Sequence, residues 1–110
     1  MIENTIGEIE ARIRGAEAVS DDRKRELLQL LGQLKAEVGA LEKTHGEDAQ
    51  SIAGFAQVSA HEATRATQNP ASLEHSLEGL RSSAGVFKKS HPQLVEIVNA
   101  ISNTLSNLGI

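Results

Sequence analysis

The chain has 110 residues, a formal net charge of −4 and no cysteine. That suits one domain and excludes disulfides, thiolate nucleophiles and thiolate metal sites. Aromatic residues make up 2% of the chain, only Phe55 and Phe87, so core layers must come from Leu, Ile, Val and Ala.

Such layers are thin. They favour paired helices, and association is a common way to add buried area. A nucleic-acid footprint needs a clustered basic excess. The only basic cluster, Arg23, Lys24 and Arg25, follows Asp21 and Asp22 and reads as a solvated first helical turn, so no nucleic-acid partner is expected. No apolar run is long enough to span a membrane, and Glu3, Glu8 and Glu10 stand where a signal peptide would be basic. A cytoplasmic protein without a membrane partner is expected.

The first helix is announced by Ile2, Ile6, Ile9 and Ile13, one stripe close to the 3.5-residue period of a coiled-coil seam. Thr5 and Glu8 match a capping box, although Ile2 places the start earlier, and Gly15 weakens the end. Ser20 reads as the next N-cap, with Asp21 and Asp22 against the positive end of the helix dipole. The stripe that follows is Leu27, Leu31, Leu34, Val38 and Leu41, widened by Leu28 and Leu30, so this helix touches more than one neighbour. The short link predicts an antiparallel hairpin over 1–43. Gly32, Gly39 and Gly46 fall at a seven-residue spacing. Either another helix approaches closely there or the three are incidental; the sequence leaves both open.

A break is predicted in "KTHGEDAQ", where Thr44 and Glu47 form a further capping box and Gly46 weakens continuation. Against it, the register from Leu41 would run on to Ile52 and Phe55. The third helix, 47–68, carries Ala49, Ala53, Ala56, Ala60, Ala63 and Ala66 around Ile52, Phe55 and Val58. It is expected to pack closely or to remain partly exposed. Asn69 is a good N-cap and Pro70 suits the first helical position of the fourth helix, whose stripe is Leu73, Leu77, Leu80, Ala84 and Phe87. His91 precedes Pro92 and is biased away from helical dihedrals, so it is expected at the N-cap of the fifth helix; a Ser90–Gln93 capping box competes for that register. The last stripe is Leu94, Val98, Ile101, Leu105 and Leu108, and the 69–110 segment reads as a second hairpin. Gly109 and Ile110 fit a helix stop, with Ile110 clasped against Leu105.

The stretch "VFKKSHPQLVEIVNAISNTLSNLGI" resembles the C-terminal signature of a family of small bacterial helical proteins of unknown function. Phe87, His91, Pro92, Leu94, Leu105, Asn107, Gly109 and Ile110 carry the match. "SDDRKRELLQLLGQLKAEV" is similar to that family's early charged-then-leucine helix, while the stretch from His45 to Arg65 is longer than in its shorter members. The resemblance implies bacterial origin and helical structure, and no reaction.

Candidate chemistry is sparse. "HEATR" (His61 to Arg65) lacks the second histidine of a zinc-protease helix, because Arg65 stands in its place. A surface pair of Glu62 with Arg65 is the expected alternative. His45, Glu47 and Asp48 are weak candidates for collecting a divalent ion, since carboxylates at a helix start also serve the dipole. His75 is expected on the surface. No elbow motif and no phosphate-cradling loop is present. The reading is therefore an all-α small bundle of about five helices with coiled-coil-like antiparallel hairpins. A non-enzymatic structural or protein-interaction module without a cofactor is expected. The homodimer expectation follows from narrow stripes that need partners, with an unidentified protein partner as a further candidate. The alternative is a regulatory binder of a metal ion or small ligand through the His45–Asp48 region.

Overall fold

The boundaries of each helix follow from which groups satisfy its end amides and carbonyls. In the computed structural model, which describes residues 2–108, five helices run in order: α1 (Ile2–Gly15), α2 (Asp21–Glu42), α3 (Gly46–Thr64), α4 (Pro70–Gly85) and α5 (Pro92–Leu108). The described residues include no strand. Ser20 caps α2, its Oγ accepting from the Arg23 N–H at 3.3 Å, and Asn69 caps α4 through Oδ1 to the Ser72 N–H at 3.1 Å. Pro70 and Pro92 each open their helix, as the sequence predicts.

Of the two starts the sequence offers for α1, the structure takes the earlier one at Ile2, and Thr5 lies inside the helix. Both ends of α3 differ from expectation. Thr44 does not cap α3: the Leu41 carbonyl, left open at the end of α2, takes the N–H groups of Thr44 and His45 at 3.1 and 2.8 Å. Thr44 thereby belongs to the turn that closes α2, and His45 occupies the cap position of α3 without a side-chain bond. α3 also stops at Thr64, short of Gln68, because Arg65 turns extended. Gln68 folds back instead, its Nε2 donating to the carbonyls of Ala63 at 2.7 Å and Leu108 at 3.3 Å. One amide thus serves the C-terminal ends of α3 and α5. Lys24 Nζ does the same for α1, donating to the Arg14 carbonyl at 2.9 Å. The proposed stop at Gly109 and Ile110 lies outside the described residues.

α3 touches all four other helices. α1 and α4 flank it, making one layer, and α2 pairs with α5 beneath. The stripes of α1, α2, α4 and α5 meet in one cluster with Ala49, Ile52, Ala53, Ala56, Ala60 and Ala63 of α3. Small side chains let α3 sit close to every neighbour, and alanine keeps its helix propensity high. The register from Leu41 reaches Ile52, which is buried, but fails at Phe55, which is exposed. α3 is a new helix with its own phase, and its buried face is the alanine one. Since the stripes partner each other within one chain, they do not by themselves demand a dimer. A Cβ at Gly32, Gly39 or Gly46 would meet nothing within 4 Å, so no helix approaches there and these glycines are incidental to packing.

Two buried hydroxyls, Ser59 Oγ and Ser102 Oγ, have no hydrogen-bond partner among the described residues. An unpaired buried donor costs about 1–3 kcal/mol. Ser59→Ala and Ser102→Ala are therefore expected each to raise unfolding free energy by about 1 kcal/mol in urea titrations; a loss would show that the hydroxyls are satisfied. Gln68→Leu should lower it by about 1 kcal/mol, from two half-exposed bonds, while Gln33→Leu on the surface serves as the control.

Candidate functional site

With 3.6 residues per turn, burying Ala49, Ile52, Ala53, Ala56, Ser59, Ala60 and Ala63 turns a defined set of α3 residues outward. Glu47, Ser51, Gly54, Val58, His61 and, just past the helix, Arg65 run along this outer line, with Phe55 and Glu62 towards α4. Among the described large apolar residues three are exposed, Phe55 at 39%, Val58 at 49% and Val86 at 75%. Val86 stands alone in the turn after α4. Phe55 and Val58 sit one turn apart on α3.

Phe55 is held in place by a glycine. A Cβ at Gly79 of α4 would collide with the Phe55 ring, whose Cδ1 lies 2.6 Å from that point. Gly79 is thus a notch in α4 that receives the ring. Here the close approach that a helix-interior glycine permits is used, by a side chain and not by a helix backbone. Grooves run on both sides of α3. The one against α1, about 690 Å³, is lined by Ile9, Ala11, Arg12, Gln57, Val58 and His61 among others. The one against α4, about 430 Å³, is lined by Phe55, Val58, Glu62, Ser72, His75 and Ser76. Val58 walls both, so it forms the crest of a ridge.

Polar groups fix the flanks. Gln57 Nε2 donates to Glu8 Oε2 at 2.7 Å, tying α3 to α1. Arg65 Nη1 pairs with Glu62 Oε1 at 3.0 Å, the pairing expected from "HEATR", although the Glu62 side chain is largely covered. His61 Nε2 is 3.9 Å from the other Glu62 oxygen. The Ser76 hydroxyl is used within α4, donating to the Leu73 carbonyl at 2.8 Å. His75 is exposed, as expected.

The sequence-predicted metal candidates do not assemble. His45 sets its ring edge-on to Phe87, 5.2 Å between centroids, and its Nδ1 lies 2.8 Å from Thr44 Oγ1. Glu47 and Asp48 occupy the first turn of α3. Among the described residues no group of three or more His, Asp or Glu side chains could hold a metal ion. Three of the C-terminal residues singled out in the sequence, Phe87, His91 and Leu105, take structural places. Phe87 is buried between His45 and His91, the latter at 5.8 Å and also edge-on. The ring joins the start of α3 to the turn that leads into α5, and the His91 N–H closes that turn on the Phe87 carbonyl at 2.7 Å. Leu105 is buried in the core.

These features define an all-α bundle with an exposed apolar ridge. A family model described as a domain of unknown function, DUF4404, matches residues 27–110, and the chain belongs to that family. The match includes Phe55, Val58 and Gly79, whereas α1, one wall of the larger groove, precedes it. Searches of curated proteins and of solved structures find no match. No specific function comes from the family or from any relative.

The notch gives a sign reversal to look for. Gly79→Ala is expected to destabilise the protein by about 1 kcal/mol while Phe55 is present, because the ring must move. In a Phe55→Ala background the same change should stabilise by about 0.5–1 kcal/mol through helix propensity. Urea denaturation of the four-member cycle measures this; equal effects in both backgrounds would show that ring and notch are uncoupled.

Proposed function

We propose that the protein is a non-enzymatic interaction module that acts as a helical homo-oligomer in the bacterial cytoplasm. One observation carries this reading: Phe55 and Val58 stand exposed on a single face of α3, between two grooves, with the Phe55 ring fixed by Gly79. Apolar surface left in water forgoes about 25 cal/mol per Å², and a pre-positioned aromatic ring is the usual anchor of a binding surface. Fixing the ring beforehand lowers the side-chain entropy lost on docking. Among the described residues no helix is long and apolar enough to cross a membrane. The flanking side chains are of mixed charge, unlike the basic polar face of a lipid-bound helix. The alternative, a metal or ligand binder through the His45–Asp48 region, draws no support from the geometry, since the His45 ring is engaged with Phe87 and Thr44.

Gel filtration with light scattering tests the reading. A mass of twice 11.7 kDa is expected at micromolar concentration, falling on dilution. A constant 11.7 kDa mass up to millimolar concentration would end the homo-oligomer reading.

A further inference from the structure

We propose that the outer face of α3 pairs with the same face of a second copy, antiparallel, about a two-fold axis level with Ala56. This rests on the homo-oligomer reading and names its interface. A two-fold contact must be self-complementary, each residue meeting a counterpart and the counterpart meeting it in return. The outer line of α3 has that property in both charge and shape.

Charge comes first. Antiparallel pairing about Ala56 sets Glu47 against Arg65 of the partner subunit, and Arg65 against the partner's Glu47. These two positions are about five turns apart at 3.6 residues per turn, so they lie at the same angle around the helix. Glu47 is exposed and makes no ion pair among the described residues. Arg65 spends Nη1 on Glu62, and a guanidinium has five donors, so it can serve a second carboxylate. Parallel pairing would set Glu47 over Glu47 and Arg65 over Arg65, which repel.

Shape agrees about the same axis. Gly54 falls opposite the partner's Val58, and Val58 opposite the partner's Gly54. Val58 is the crest, 49% exposed. Gly54 is a helix-interior glycine whose added Cβ would meet nothing within 4 Å, so no contact inside the chain requires it. A valine entering the space above a glycine is knob and hole. Phe55, on the α4 side, comes beside Phe55 of the partner subunit. Sliding the copies by one turn breaks the charge match and the shape match together.

The test uses the full chain, with circular dichroism to confirm that each variant folds. Glu47→Arg and Arg65→Glu each set like charges at both ends of the pair, and each is expected to raise the dimer dissociation constant about tenfold or more in sedimentation equilibrium. Mixing the two variants makes a heterodimer in which both pairs are opposite again, and the dissociation constant is expected to return to within about threefold of wild type. Gly54→Gln should raise the melting temperature of the dilute monomer, since glutamine is the better helix former, yet weaken the dimer about tenfold by filling the hole. A wild-type chain that stays monomeric overturns both the homo-oligomer reading and this pairing. A wild-type dimer that none of the three variants weakens, or whose charge variants do not rescue each other, overturns the pairing alone.

Discussion

The alanine face of α3 is the constraint on which the architecture depends. A helix that must touch four others cannot carry large side chains towards all of them, because helix axes would be forced apart and the other stripes would lose contact. Ala49, Ala53, Ala56, Ala60 and Ala63 solve this by being small, and Ile52 is the one large apolar side chain that α3 buries fully. The aliphatic volume is then carried by α1, α2, α4 and α5 around it. A bundle this poor in aromatic residues stays closed because its central member is thin.

The same constraint explains the exposed ridge. With its inward face committed to alanine, α3 turns its remaining large side chains outward, and the layer of α1, α3 and α4 presents them between two grooves. The polar groups around this surface, Glu8 with Gln57 and Glu62 with Arg65, are paired in ways that fix side chains at the rim of the ridge. That is the behaviour of a border around an apolar patch.

Much of the fold was legible in the sequence because its signals are local. The caps at Ser20 and Asn69, the prolines at the starts of α4 and α5, and the stripes of four helices depend on residues within a turn or two of one another. The start of α3 was misread because Thr44 had two employers, and the open carbonyl at Leu41 outcompeted the cap. The outward turn of Phe55 was hidden because an alanine-rich helix has two plausible apolar faces, and only contact with four neighbours decides between them. Gly79 and Gln68 carried no local signal. The first matters only because Phe55 lies over it, and the second only because two helix ends converge. The seven-residue glycine spacing left open whether a helix approaches at Gly32, Gly39 and Gly46; among the described residues the glycine that admits a neighbour is Gly79, on another helix. The candidate site was therefore almost unreadable beforehand, being made of pairings between elements.

The Gln68 amide has a further consequence. It joins the Ala63 carbonyl to the Leu108 carbonyl, 40 residues further along the chain than Gln68 itself. Helix ends ordinarily fray one at a time, each with its own small opening free energy. Here the last turns of α3 and α5 share one donor group, so opening either leaves the other with a weakened hold. The ends of α3 and α5 are thereby tied to each other through one side chain, across a stretch that holds the whole of α4 and α5.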